Sequence, residues 1–282
     1  MMSNQISLEE ILKPVEEEWL QVLFTHCSEI FKKAPLPSHD QWHHLRVWHH
    51  AIEILTHIHE PSHWLNKDYA QALIIAVFFH DTGLSKTHDV THGKVSRQLC
   101  NDFFEKNQIP KPEKYNLALE AIEKHDDKAY LKEKVDFNIR GSFNALVSVA
   151  DDLDAFGAMG TFRYLEIYFR RQIADNEVIP AIFQNLNSRF SNFKKIYKRY
   201  PRLIRKQNSR YQETKKWLEL VEKNNNAFKI IHSFATFEKM PDISKLILKL
   251  QAAGGETHQL GIQLYRVHQM TQNSIKNEWK TI

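Results

Sequence analysis

Scarce glycine is the feature that most limits what this sequence can fold into. Glycine occurs eight times in 282 residues, and proline nine times. Sheet-and-turn architectures need glycine at their turns, so so little punctuation over this length predicts long helices. The apolar residues recur accordingly. Ser7-Leu8-Glu9-Glu10 has the form of a capping box, followed at helical spacing by Leu12, Val15, Trp19, Leu20 and Leu23. That helix should stop before Pro35-Leu36-Pro37. A second is expected over residues 38 to about 60, with Leu45, Trp48, Ile52 and Leu55 on one face. A third, over residues 67–81, is apolar nearly all round and therefore central, and Thr82-Gly83-Leu84-Ser85 breaks it. Further helices are expected over about 91–106, 113–125 and 142–154. Gly157 and Gly160 then turn the chain into another near Thr161. Residues 126–138 are charged and irregular and read as a mobile loop. Beyond Asp175, long helical stretches are broken at Pro180, Pro201, Asn224-Asn225-Asn226, Pro241 and Gly254-Gly255. The expected fold is all-α: a helical bundle over residues 1–174 and a helical extension over 175–282.

With 42% hydrophobic residues the chain can bury a substantial core. A net charge of +4 suits an anionic substrate but is too weak to indicate nucleic acid by itself. Cys27 and Cys100 stand in no metal-ligand spacing and read as reduced thiols of a reducing compartment. The first ten residues are polar, and the longest apolar run, residues 72–79, falls well short of the ~20 residues a bilayer span requires. A soluble, cytoplasmic protein is expected.

Sixteen histidines are present, half of them between His39 and His63. A lone helical histidine is usually solvated or hydrogen-bonded, so only a joint pattern carries information. His80-Asp81 ends the most apolar helix. A carboxylate buried beside an imidazole there is costly unless a positive charge compensates, and a divalent cation would. Mixed nitrogen and oxygen donors suit Mn, Fe, Ni, Co or Zn rather than Ca; a cap or salt bridge is the simpler alternative. In His39-Asp40-Gln41-Trp42-His43-His44-Leu45-Arg46-Val47, helical spacing puts His39, His43 and Arg46 on one face together with His50. Asp151-Asp152-Leu153-Asp154 closes an apolar helix, where negative charge opposes the helix dipole and a bound cation would relieve it.

These three contexts, in this order, resemble the HD-domain superfamily of metal-dependent phosphohydrolases. The residues concerned are His-x-x-Arg-Val at His43, the His80-Asp81 pair, and the Asp151-x-Leu-Asp-Ala-x-Gly run. With Gly157-Ala158-Met159-Gly160 and Arg163 following, the late piece is similar to small bacterial members that act on nucleotides. The likeness covers roughly residues 39–171. It implies metal ligands at His43, His80, Asp81 and Asp151. His43 is preferred to His44 for its distance from Arg46, and Asp151 to Asp152 for opening its run. Arg46 and Asp154 would stand behind the ligands. His92 and His125 fall where family members carry histidines that bind a second metal, contact phosphate or donate protons; the last two uses are preferred. Lys86, Lys94, Lys124 and Arg163 are candidates to neutralise phosphate oxygens. One divalent transition metal is implied, with Mg and a second ion also open. The implied reaction is hydrolysis of a phosphoester or phosphoanhydride of a small metabolite, a nucleotide first, by a metal-activated water, with Asp81, His92 or His125 handling protons.

From Asn185 to Lys216 cations are frequent and Glu213 is the single acid. Phe190, Phe193, Tyr197 and Tyr200 follow helical spacing and read as a core stripe, with Lys194, Lys195, Lys198 and Arg199 on the solvated side. Interleaved aromatic and basic residues could instead meet nucleic acid. Two other functions therefore stand beside the enzyme: a nucleotide-sensing regulatory module, and a nuclease or RNA-associated protein.

Overall fold

The computed structural model describes residues 7–58, 64–128, 143–236 and 242–281, the side chains of 276–281 excepted. Among them the secondary structure is entirely helical. The chain runs through α1 (Leu8–Lys33), α2 (Gln41–Ile58), α3 (Lys67–Phe79), a 3-10 turn (Thr82–Ser85), α4 (His92–Lys106), α5 (Tyr115–Lys124) and α6 (Phe143–Asp154). It continues through α7 (Gly157–Arg170), α8 (Asp175–Ile196), α9 (Pro201–Lys223), α10 (Asn225–Ala235), α11 (Ile243–Ala252) and α12 (Gly255–Thr281). From residue 129 on, the stretch read as a mobile loop lies outside the described residues, as does Pro241.

Local chemistry explains most boundaries. Ser7 and Glu10 form the reciprocal capping box at the start of α1, and Asn66 caps α3 through the Tyr69 N–H. Asn224 caps α10 by accepting from Asn226 and Ala227. Pro180 is a correction to the sequence reading, since it sits inside α8 rather than breaking it. It is exposed in the second turn, and the Asn176 carbonyl it leaves without an amide partner is on an exposed residue where water can serve.

The chain divides into two compact units. One comprises residues Met1–Ala34 and His44–Asp151, the other Pro35–His43 and Asp152–Ile282. The division at 174/175 expected from composition is a different cut, because α7 packs on α9 and α10 and so goes with the later helices.

In the first unit α3 is the central element. Its buried run Ala70 to Phe79 packs on α1 and α5. Trp48, Leu45 and Leu55 of α2 are fully buried, as expected for that face. In the second unit α7 is buried on nearly every side and meets α8, α9 and α10. The Phe156–Gly157 turn before it is held from α9. Arg210 donates to the Phe156 carbonyl (2.9 Å), and the Gly157 N–H donates to Thr214 (2.7 Å). Gly157 has φ +86°, which favours glycine.

Candidate metal centre

Helix α3 ends in a way that turns two donors inward. His80 is its C-cap, still at φ −50° and ψ −42°, and Asp81, at φ −106° and ψ 4°, leaves the helix and opens the 3-10 turn. Thr82 Oγ1 donates to the Phe79 carbonyl (2.8 Å), and the Gly83 N–H donates to Ser96 Oγ of α4 (2.8 Å). Gly83 is needed there, because a Cβ would stand 2.1 Å from the His92 carbonyl oxygen and 2.8 Å from the Ser96 nitrogen. This close approach brings the start of α4, with His92, beside Asp81.

Three imidazoles of the first unit share one arrangement. His80 Nδ1 lies 2.7 Å from the Val77 carbonyl, His92 Nδ1 2.8 Å from the Asp89 carbonyl, and His125 Nδ1 2.9 Å from the Ile122 carbonyl. A carbonyl only accepts, so each Nδ1 carries a proton and each Nε2 is left to face inward. His80 Nε2 lies 3.4 Å from Asp81 Oδ2 and 3.6 Å from Asp151 Oδ1. His125 Nε2 and His92 Nε2 lie 3.1 and 3.3 Å from Asp81 Oδ1. All five residues are buried. Asp81 thus presents one carboxylate oxygen to His80 and the other to the His92–His125 pair.

The donor atoms of His80, Asp81 and Asp151 lie within 4.8 Å of one another, and so do those of Asp81, His92 and His125; each group could hold a metal ion. The electrostatics agree. His92 Nε2 and His125 Nε2 are 3.2 Å apart. With both Nδ1 atoms protonated, two lone pairs would face each other unless a proton or a cation lies between. Two buried carboxylates likewise require positive charge nearby. With protons alone supplying it, burial pulls the His80 imidazole down, but Asp81 and Asp151 outweigh this and hold it up at about 10. His92 is pulled down by burial and raised, on balance, to about 9 by Asp81 and Asp126. A divalent ion would replace those protons and use the same lone pairs, so the residues fit such an ion.

His43 belongs to the second unit, one residue before the division that falls within α2. It is fully buried, and its Nδ1 lies 2.8 Å from Asp154 Oδ2. This carboxylate–histidine pair directs Nε2 to outside partners, as in metal-binding histidines. Arg163 is buried beside it, 3.5 Å from Asp154 and 3.4 Å from His43 Nε2. Asp152, the alternative to Asp151, is instead paired with Arg189 at 2.7 Å. His44, the alternative to His43, donates through Nδ1 to the same Val77 carbonyl as His80 (3.1 Å), and the two rings are 5.1 Å apart. Arg46 is buried in the first unit.

The lysine candidates lie at the surface. Lys86 and Lys94 are exposed, and Lys124 is exposed and paired with Glu120, one turn back on α5, at 2.8 Å.

Sequence reasoning missed a second buried polar group, formed by Ser38, His39 and Glu166 of the second unit. Glu166 Oε2 accepts both the Ser38 N–H (2.9 Å) and its hydroxyl. His39 Nδ1 lies 2.7 Å from Ser38 Oγ, and its ring centroid 5.3 Å from that of His43. Burial pushes the Glu166 carboxyl up to about 7 despite the Ser38 donors and the cations Arg170 and Arg163. His39 was visible on the His43 face, but nothing in the sequence marks Glu166.

Comparison of the chain with protein-family models, with curated proteins and with solved structures returned no match. No helix among the described residues is long and apolar enough to cross a membrane.

Proposed function

We propose that this protein is a metal-dependent phosphohydrolase acting on a small phosphorylated metabolite, with a nucleotide as the leading substrate class. The observation that carries the reading is the buried group of His80, Asp81 and Asp151, whose donor atoms converge with the His80 Nδ1 already spent on the Val77 carbonyl. The residues that resemble HD-domain phosphohydrolases in sequence supply the rest, and His43, oriented by Asp154, is the fourth ligand that likeness implies. A bound divalent ion would supply Lewis acidity and lower the pKa of water toward neutrality.

The chain's own residues then have distinct tasks. Asp81 is the natural proton acceptor, because its second oxygen stands against His92 and His125, which can carry a proton onward. Those two imidazoles, aligned by backbone carbonyls, are placed to neutralise charge on phosphate or leaving-group oxygens, or to take a second ion. Metal stoichiometry separates these uses. Arg163, held by Asp154, is the phosphate-contacting cation the second unit offers.

The test is elemental analysis of the purified protein, followed by a Mn- or Mg-supplemented screen for phosphate and pyrophosphate release across nucleotides. Bound metal and turnover on at least one phosphoester, lost in Asp81→Ala, are expected. A wild-type protein that holds no divalent ion and hydrolyses no phosphoester with any ion sinks the reading.

A further inference from the structure

Between Glu177 and Glu213 the sequence holds nine Lys and Arg residues and no Asp or Glu. Three of the nine have internal work or partners. Arg189 pairs with Asp152, Arg210 holds the Phe156 carbonyl, and Lys206 has contacts of its own. The other six are Lys194, Lys195, Lys198, Arg199, Arg202 and Arg205. All are exposed, and among the described residues none has a carboxylate within salt-bridge distance; Lys194 lies over the Phe190 ring, 4.9 Å from its centroid, which leaves its charge unneutralised. They follow one another around a single corner of the second unit: the last turn of α8, the Tyr197–Tyr200 connection and the first turns of α9.

Two features make this more than a solvated face. Cations at the end of α8 suit its dipole, but Arg202 and Arg205 sit at the start of α9, where positive charge opposes it. That helix has no acidic residue in its first turn and no side-chain cap, whereas α1 and α8 both begin with acids. The chain therefore carries unbalanced positive charge at a helix start, which phosphates would offset. The aromatic residues of the stretch, in contrast, are committed elsewhere. Phe190, Phe193 and Tyr197 are buried, and Tyr211 stacks on Phe190 with centroids 4.2 Å apart. No large hydrophobic side chain of this corner is exposed. Tyr200 is half-buried with its ring 6.3 Å from that of Tyr197, so the surface offers charge without a fully exposed ring to stack on an unpaired base and without an apolar anchor for a bilayer.

We propose that the α8–α9 corner docks the phosphate backbone of double-helical nucleic acid, independently of base sequence. The inference does not rest on the metal centre. Phosphates along a duplex provide the closely spaced negative charge that six cations without a carboxylate partner complement, and contacts confined to phosphates carry no base information.

Fluorescence anisotropy with a labelled duplex of random sequence tests it across a salt series. Affinity should fall linearly on a log–log plot, at roughly 0.9 of a unit per phosphate neutralised. Joint replacement of Lys194, Lys195, Lys198 and Arg199 by Ala should weaken binding by about tenfold or more at low salt and flatten the slope by roughly three to four units. Arg202→Ala with Arg205→Ala should act the same way to a smaller degree. Both variants should keep wild-type metal content and Tm, and Lys32→Ala with Lys33→Ala, at the end of α1, should bind like the wild type. The proposal is overturned by any of three results. These are no salt-dependent binding to the duplex, a slope unchanged in the corner variants, or tighter binding to a single strand or to phosphatidylserine vesicles than to the duplex at equal salt.

Discussion

Two buried polar clusters in this protein solve the same physical problem differently. Around Asp81, carboxylates and imidazoles converge with three Nε2 atoms turned inward, and the cluster needs added positive charge to be stable. Around Glu166, a single carboxylate has one oxygen, Oε2, satisfied inside the protein, while Oε1 is buried without a hydrogen-bond partner among the described residues. Ser38 gives it two donors, His39 backs the serine, and burial keeps the carboxyl close to neutral. The first arrangement holds lone pairs available for an ion. The second spends its hydrogen bonds on fixing the segment that leads into α2. Buried polarity alone therefore does not mark a metal site; the convergence of unspent lone pairs from several residues does.

The largest effect that would break this contrast is loss of a converging donor. Asp81→Ala should abolish divalent-metal binding and any turnover with it, whereas Glu166→Gln should leave stoichiometric metal binding in place; calorimetric titration of the two variants with Mn separates them. Next is Asp154→Asn, which removes the carboxylate that orients His43. Metal affinity should drop by roughly 10- to 100-fold, read by competition with a chelator of known affinity.

Gly83→Ala sharpens the geometry. Its Cβ would meet the His92 carbonyl at 2.1 Å, so the 3-10 turn and α4 must part. A cost of about 1–3 kcal/mol is expected in denaturant unfolding, together with weaker metal binding. The first consequence tests the packing and the second tests whether that packing serves the site.

Glu166 yields a pH prediction. Its folded carboxyl is raised from 4.5 to about 7. Stability from that group is therefore fully present below the unfolded value and is lost as pH rises through 7. Wild type should lose about 3 kcal/mol relative to Glu166→Gln between pH 4.5 and pH 8, which paired urea melts can follow. Equal pH profiles would show that Glu166 is not a near-neutral carboxyl. The smallest effect belongs to Lys124→Ala, which should change neither metal content nor turnover, since its ammonium sits on the surface with Glu120.

The same contrast explains what could be read from sequence. Helices follow from local pattern, so α1, α3 and α4 were legible to within a few residues from apolar spacing and caps. Pro180 was misread because a proline rule ignores that an exposed second turn can give a carbonyl to water. His80-Asp81 was legible because the two donors are adjacent and end an apolar helix. His92 and His125 stood out only through the resemblance, being 33 residues apart. The clasp between Ser38 and Glu166 joins residues 128 apart, and neither carries a local signal. The lysines carry no comparable signal, since formal charge near a motif does not fix where a long flexible side chain ends.

The central claim is that the unspent lone pairs around Asp81 exist to hold an ion. Its most direct test is elemental analysis of wild type and His80→Ala, purified identically and reloaded with Mn after chelation. The account predicts at least one tightly held ion per chain in the wild type and at least one fewer in the variant, with both proteins folded. Equal metal content in the two, or none in either, would contradict it.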